Sequence, residues 1–360
     1  MDTSPHLEYM QLALQLAKRG RYTVSPNPMV GCVIVKDGRI VGQGHHIRAG
    51  GPHAEVHALQ DAGDLAAGAV AYVTLEPCCH FGRTPPCTQA LINARIKKVY
   101  FACKDPNPLV AEKVIAILRE AGIEVEHGLC ESEAKKLNEI FFKYITTRRP
   151  FVIAKWAMSL DGKTVTNPGD SRKISGDKSH QHTHAKRQAV DAILVGANTV
   201  LADNPELTAR SSAEEIIDQP IRVILAGQGV LPPALKVLNG SLPGKTWVAV
   251  TEPINAEWKN TLSSAHVELL ILPKNAAGKV CLSSLLDELG KREVTSLLVE
   301  GGMTVHESFF KENLVDKVHI YLAPVFIGTL PKKIRLENID IETLGNDYFF
   351  SAGCQEVEYV

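Results

Sequence analysis

The chain has 360 residues, enough for two domains of ordinary size with a full core in each. Hydrophobic residues make up 45% and charged residues 22%, values of a globular chain. Lys+Arg at 39 against Asp+Glu at 40 leave a net charge of -1, which argues against a protein built to hold a polyanion, so no nucleic-acid partner is expected. No uncharged apolar run reaches the ~18 residues of a membrane span, and no membrane partner is expected either.

The opening MDTSPHLEYM has neither a basic nor an apolar signal region, and the chain reads as cytoplasmic. Ser4-Pro5 predicts a helix start, with Ser as N-cap and Pro in the first helical position. Apolar residues then recur at helical spacing through Leu16. Gly31 to Gly44 reads as two short strands joined by Asp37-Gly38, a hairpin signal. A helix is expected from His53, a strand over Ala69–Leu75 and a Pro-initiated helix from Pro85. Next come a strand over Val99–Cys103, a helix near Leu109–Ala121, a strand in IEVEH and a helix through Ile145. Thr146 to Pro150 is a polar break. Beyond it FVIAKWAMS and segments near Ala192, Arg222, Trp247, Leu269, Ser296 and Lys317 predict strands of a second α/β pattern. The tail GNDYFFSAGCQEVEYV reads as a closing β segment.

Three of the eight cysteines, Cys78, Cys79 and Cys87, fall within ten residues. In an intracellular setting such clustering points to metal or catalysis rather than disulfides. His53-Ala54-Glu55 follows Gly51-Pro52. Pro77-Cys78 closes a strand, and Cys87 follows Thr84-Pro85-Pro86 at a helix start, where partial positive charge favours a thiolate. One His and two Cys leave a tetrahedral zinc with an open position, the pattern of a catalytic site. Zinc nucleobase deaminases use this set with a non-ligand Glu two residues after the His, in the signature H-x-E…P-C-x-x-C. Here the second Cys comes nine residues after the first rather than three. Cys79 and His80 offer a competing closed structural site, and His57 a hydrolase-type pair with His53. Cys32, Cys103, Cys130, Cys281 and Cys354 read as small buried apolar residues, and His180, His182 and His184 as a solvated face.

In the second half the dinucleotide pattern G-x-G-x-x-G is absent. The strand Leu297–Val299 runs into Gly301-Gly302 and a helix that Thr304 could cap, a candidate phosphate cradle.

HAEVHAL followed by TLEPCCHFGRTPPC, with PNPMVGCVIV upstream and DPNP downstream, closely resembles the deaminase domain of the bifunctional riboflavin-biosynthesis deaminase/reductase family. In that family the long P-C…C spacing is the norm. KWAMSLDGK, GANTVLADNPELTAR and LVEGGMTVHESF extend the resemblance over essentially the whole chain. It implies an α/β protein: an N-terminal cytidine-deaminase-like zinc domain, residues 1–146, and a C-terminal dihydrofolate-reductase-like domain, residues 150–360. It further implies one zinc ion on His53, Cys78 and Cys87, with Glu55 as general acid/base. Asn27, His80, Arg83, Asp105 and Asn107 would contact a small-molecule substrate, 2,5-diamino-6-(5-phosphoribosylamino)pyrimidin-4-one, as zinc-activated hydroxide removes its 2-amino group.

In the second domain NADPH would reduce the ribosyl group to ribityl. Its contacts would be Ala157, Thr199, Asp203, Gly227 and the run Gly302, Met303, Thr304, Val305, His306, Glu307, Ser308. Ser171, Arg187, Leu207, Arg210 and Glu300 would touch substrate, the two arginines as phosphate partners, and Lys155 would position or protonate the sugar. The resemblance also implies a homo-oligomer. Lys173 stands where the family often carries an aromatic, which puts a cofactor contact there in doubt. Two other readings compete: a deaminase of other nucleotides or RNA with a C-terminal binding module, and a zinc-stabilised structural protein without activity.

Overall fold

A computed structural model describes residues 5–79, 85–107, 113–164, 174–210, 218–262, 267–327, 334–344 and 347–356. The chain divides into two compact units, residues 1–151 with 283–296, and residues 152–282 with 297–360. Nothing local in the sequence signals the first grouping, because the segment 283–296 lies deep inside the second α/β pattern.

The first unit is built on a five-stranded sheet. Its strands are β1 (Gly31–Lys36), β2 (Arg39–His45), β3 (Val70–Val73), β4 (Lys98–Phe101) and β5 (Glu124–His127), in the order β2-β1-β3-β4-β5. β1 runs antiparallel to both neighbours, while β3, β4 and β5 are parallel. Asp37 and Gly38 both take positive φ, 50° and 75°, as a tight I′ hairpin turn requires. Side chains alternate across the sheet. Cys32 and Ile34 join Ala54, Ala58, Leu91 and Leu118 on one face, while Val33 and Val35 join Met10, Leu14, Tyr72 and Ala134 on the other. The sheet is therefore covered by helices on both sides, as its apolar strands require.

The helix Ala54–Ala62 packs directly on β2, and glycine makes this possible. A Cβ at Gly44 would lie 2.4 Å from the Ala54 carbonyl oxygen, and one at Gly42 2.2 Å from that of Ala58. The helix expected from Pro85 begins at Cys87, with Pro86 in the capping position, since Pro86 holds an extended ψ of 134°. The helix expected to run through Ile145 is two helices, Glu131–Leu137 and Glu139–Thr147, separated at Asn138.

The second unit holds a seven-stranded sheet of β6 (Phe151–Ser159), β7 (Ala192–Gly196), β8 (Ile221–Gly227), β9 (Thr246–Val250), β10 (Val267–Ile271), β11 (Ser296–Val299) and β12 (Lys317–Ala323). The order is β10-β9-β8-β7-β11-β6-β12, and each pair whose register is described is parallel. Strands such as β7 are buried throughout, the signature of a parallel sheet covered on both faces. A separate three-stranded sheet comprises β13 (Val325–Phe326), β14 (Ile334–Leu344) and β15 (Asp347–Glu356), so the tail is β structure over Asp347–Glu356. Among the described residues no helix is long and apolar enough to cross a membrane.

Candidate active sites

In the first unit three loops converge at one end of the sheet. His53 occupies the N-cap position of the helix Ala54–Ala62, Cys78 follows β3, and Cys87 opens the helix Cys87–Asn93. The Thr88 amide donates to the Cys78 carbonyl (3.1 Å) and the Cys87 amide to Cys78 Sγ (3.3 Å), tying the two cysteine segments together. His53 Nδ1 lies 3.1 Å from Cys87 Sγ and 3.5 Å from Cys78 Sγ, and the three donor atoms all fall within 4.8 Å of one another. A tetrahedral zinc with bonds of about 2.0–2.3 Å sets neighbouring donors roughly 3.4–3.8 Å apart, so this donor set fits one ion. Cys79 and His57 are not in the cluster, and His80 lies outside the described residues.

The electrostatics match a metal site. The Cys87 thiol hydrogen bond, with help from His53, pulls Cys78 down to about 4 against the opposing effect of burial. Cys87 moves the other way, held up by that same bond and by burial. The pair thus shares one proton, which metal ligation releases. Glu55, in the first turn of its helix and only 3% exposed, is pushed up by burial and by the Cys78 charge. A buried carboxyl held above its usual range beside a metal site is suited to carry a proton in both directions.

A cavity of about 350 Å³ opens on this cluster, lined by Asn27, His46, Glu55, Glu76, Asp105 and Asn107 among others. Its walls are fixed by residues that the sequence reading leaves out. The buried Asn138 accepts from the Met29 amide (2.8 Å) and donates to the Met29 carbonyl (2.9 Å), holding the 27–30 loop. Glu76 Oε2 accepts from the Asp105 amide (3.1 Å), and Asp105 Oδ1 in turn accepts from the Asn107 amide (2.8 Å). His46 is 2% exposed and touches both Asn27 and the Pro52 carbonyl. Burial foremost, with His53, His57 and His45 adding to it, pushes its imidazole below the usual value, while the Pro52 carbonyl opposes. TLEPCC carries the only sequence signal for any of them, since Glu76 lies inside that motif. Arg83, like His80, lies outside the described residues.

In the second unit Glu300 follows β11 and meets Arg187, on the helix Asp177–Gln188, in a bidentate pair. Arg187 Nε donates to Oε1 (2.8 Å) and Nη2 to Oε2 (2.7 Å), while Nη1 donates to the Thr208 carbonyl (3.1 Å). Their side chains are 14% and 5% exposed. Arg187 is therefore a largely buried partner of Glu300, its fork engaged by that carboxylate. Arg210 is 60% exposed and pairs with Glu206 at 3.4 Å. Lys155, on β6, sets its Nζ 5.3 Å from the centre of the Tyr321 ring. Burial first, then the Arg187 charge, pull it below the usual amine value, against Glu300. Leu207 takes φ 52° and buries its side chain, so any contact it makes with a ligand is through the main chain. Ser171 and Lys173 lie outside the described residues.

The expected cofactor residues follow the sheet order. Thr199 and Asp203 lie on the helix Ala197–Asp203 after β7, Gly227 ends β8 and the run from Gly302 follows β11, all beyond the carboxyl ends of adjacent strands. Ala157 is on β6. Ligands of open α/β sheets bind at this edge. Thr304 is not the helix cap: the helix Met303–Lys311 starts one residue before it, and Gly302, at φ 74°, holds the N-cap position without a side-chain bond. The exposed Met303 and Thr304 carry amides of a first helical turn, which have no intrahelical acceptor and suit a phosphate. A Cβ at Gly301 would meet Val195 at 2.9 Å and Thr199 Oγ1 at 3.0 Å, so the turn lies close against β7 and its helix. These features fit a dinucleotide phosphate. Within the run, Val305 packs toward Gly196, His306 is 2% exposed and faces Trp156, and Ser308 Oγ donates back to the Thr304 carbonyl. Glu307 is exposed.

Two other expectations change. His182 bonds Tyr321 (3.2 Å), His184 bonds the Thr208 carbonyl (3.1 Å) and His180 buries its Nε2, so only His182 of the three is solvated. Cys130 and Cys281 are half-buried rather than buried.

Residues 3–103 match the cytidine and deoxycytidylate deaminase zinc-binding region, and residues 150–350 the RibD C-terminal domain. The riboflavin biosynthesis protein RibD of Aquifex aeolicus is 43% identical over 350 residues, 94% of this chain and 96% of that protein. The chain belongs to the RibD family. An Acinetobacter baumannii RibD structure is 40% identical, with a TM-score of 0.81 over 98% of this chain and 99% of that one. A Thermotoga maritima structure, described as a diaminohydroxyphosphoribosylaminopyrimidine deaminase/5-amino-6-(5-phosphoribosylamino)uracil reductase, is 36% identical with a TM-score of 0.79 over 98% and 99%. As a RibD enzyme the chain is a bifunctional deaminase and reductase of riboflavin biosynthesis acting on a small molecule. Its fold joins a cytidine-deaminase-like domain to a dihydrofolate-reductase-like one, and its cofactors are zinc and NADPH.

Proposed function

We propose that residues 1–146 deaminate 2,5-diamino-6-(5-phosphoribosylamino)pyrimidin-4-one and that residues 150–360 then reduce the ribosyl group of the product to ribityl. The observation that carries the first step is the His53, Cys78, Cys87 donor set with buried Glu55 beside it, opening on a cavity large enough for the pyrimidine. Zinc, when bound, supplies a Lewis acid that makes water a nucleophile near neutral pH. Glu55 takes up a proton from that water and delivers it to the departing amine. Asn27, Asp105 and Asn107 line the cavity and orient the ring, with His80 and Arg83 as further contacts.

In the second step NADPH, when bound, would supply the hydride that the sugar C1′ accepts. The amides at Met303 and Thr304 would hold its phosphates, with Thr199, Asp203, Gly227 and Ala157 along the same strand edge. Lys155, its proton loosened by burial and by Arg187, positions and protonates the sugar oxygen as the ring opens. The Arg187–Glu300 pair fixes the field around Lys155. Ser171, Arg187, Leu207, Arg210 and Glu300 form the substrate side, Arg210 being the more exposed of the two arginines.

A homo-oligomer is part of this reading. Val318, Ile320 and Leu322 alternate with half-buried residues along edge strand β12 and are 45%, 45% and 37% exposed, an apolar edge that a second copy would cover. Near-neutral charge supports the absence of a nucleic-acid partner, and a cytoplasmic location is part of the same reading. Glu55→Ala tests the first step. Ammonia release is expected to vanish while zinc content stays at one per chain, and persistence of ammonia release would exclude Glu55 as proton carrier.

A further inference from the structure

His46 and Asn27 stand at the deaminase cavity in an arrangement that fixes which way the Asn27 amide points. His46 Nδ1 lies 3.0 Å from the Pro52 carbonyl oxygen. A carbonyl only accepts, so Nδ1 carries the proton. The other ring nitrogen, Nε2, lies 3.1 Å from Asn27 Nδ2. An amide nitrogen only donates, so Nε2 is bare and accepts. The two contacts agree on one neutral tautomer. The ring is held in this orientation by burial, being 2% exposed, and by these two contacts, while the backbone N–H of His46 donates to the Val30 carbonyl (2.9 Å). The main chain of Asn27 is likewise anchored, its backbone N–H donating to the Val24 carbonyl (2.7 Å).

We infer that His46 is a positioning residue whose tautomer, set by the Pro52 carbonyl, turns the Asn27 side-chain oxygen toward the cavity, so that the site selects a ring that offers an N–H beside the carbon bearing the amine. The inference rests on the deaminase reading of this cavity and adds the basis of its selectivity. A 2-amino-4-oxo pyrimidine in its lactam form presents a ring N–H next to the amino-bearing carbon, and Asn27 Oδ1 accepts from it. Cytosine, of the same atoms, flanks its amino-bearing carbon with a bare nitrogen and a C–H, and so offers Asn27 Oδ1 no ring N–H to accept from. A site committed to one hydrogen-bond polarity rejects the wrong partner because a buried polar group is then left unpaired. The zinc cluster itself is the one that cytidine-type deaminases match, so the discrimination has to come from the cavity wall.

Two measurements on the zinc-loaded full chain test this. The first is long-range ¹H–¹⁵N NMR of the His46 ring, free of substrate. A proton on Nδ1 with bare Nε2 is expected, and a proton on Nε2 overturns the inference. The second compares isocytosine and cytosine, isomers of equal size, as competitive inhibitors of ammonia release. Isocytosine is expected to inhibit at about tenfold lower concentration, as one well-formed hydrogen bond provides. His46→Phe should abolish that preference with zinc content unchanged. His46→Gln, able to donate to Pro52 and accept from Asn27, should restore it. Equal inhibition of the wild type by the two isomers, or a preference for cytosine, overturns the inference while leaving deamination of the natural substrate as a separate observation. Should both His46 variants fail to fold, the wild-type tautomer and isomer preference still decide the matter.

Discussion

Gly44→Ala is a small change with a calculable effect on a distant-looking centre. The added methyl would lie 2.4 Å from the Ala54 carbonyl oxygen, 2.5 Å from the Ala58 nitrogen and 2.8 Å from His57 Cβ. Ordinary contact begins near 3.4 Å, so the helix Ala54–Ala62 must move off β2 by about 1 Å. Two of the three obstacles are backbone, which no rotamer change relieves. Overpacking of this kind costs about 1–3 kcal/mol of stability. The chemical cost is larger, because that helix carries Glu55 and is capped at His53. A 1 Å misplacement of a catalytic group costs roughly 10²-fold in rate. Urea unfolding, zinc content and ammonia release on one preparation read all three effects. Stability and deamination both within twofold of wild type would refute the claim that glycine at β2 is what seats the helix.

The Arg187–Glu300 pair allows a prediction in the other unit. Glu300→Ala leaves a buried guanidinium unpaired and should cost about 3–5 kcal/mol by urea unfolding, whereas the double variant Arg187→Met/Glu300→Leu should cost far less. The pair also sets a pH dependence. Burial alone would push Glu300 up, but the Arg187 hydrogen bond and charge, with Lys155, hold it below its usual 4.5. Its contribution is therefore complete above about pH 4.5 and is lost as the pH falls through the depressed folded-state value, so the wild type should lose ground to the double variant in acid. A stability difference independent of pH would argue against the pair. Lys155→Met should lower ribosyl reduction by at least tenfold without changing ammonia release, and equal reductase rates would remove Lys155 from the mechanism.

The sequence carries the parts of this protein that local chemistry decides. Asp37-Gly38 specifies its turn because two adjacent positive φ values suit few other pairs. His53, Cys78 and Cys87 are legible because one His and two Cys, with Glu55 two residues after the His, make a catalytic zinc pattern that outweighs the competing sets with Cys79, His80 or His57. What depends on tertiary contact is not legible. Gly42 and Gly44 look like weak strand residues until the helix rests on them. The pairing of Arg187 with Glu300 is invisible in the sequence, because nothing local announces a partner 113 residues away. His46 escapes notice for the same reason, its two partners coming from separate loops. The helix starts are off by one or two residues at Cys87 and Met303, where Pro86 and Gly302 take the capping positions by backbone conformation rather than by a side-chain bond.

The central claim is that one chain performs deamination and then reduction at separate centres. It is tested most directly by following ammonia release and NADPH oxidation together on zinc-loaded protein supplied with the diamino phosphoribosylaminopyrimidine. NADPH consumption should wait on ammonia release. After zinc is chelated both should stop on that substrate, and reduction of the pre-deaminated compound should continue. NADPH oxidation that precedes ammonia release, or that fails on the deaminated compound, would contradict the account.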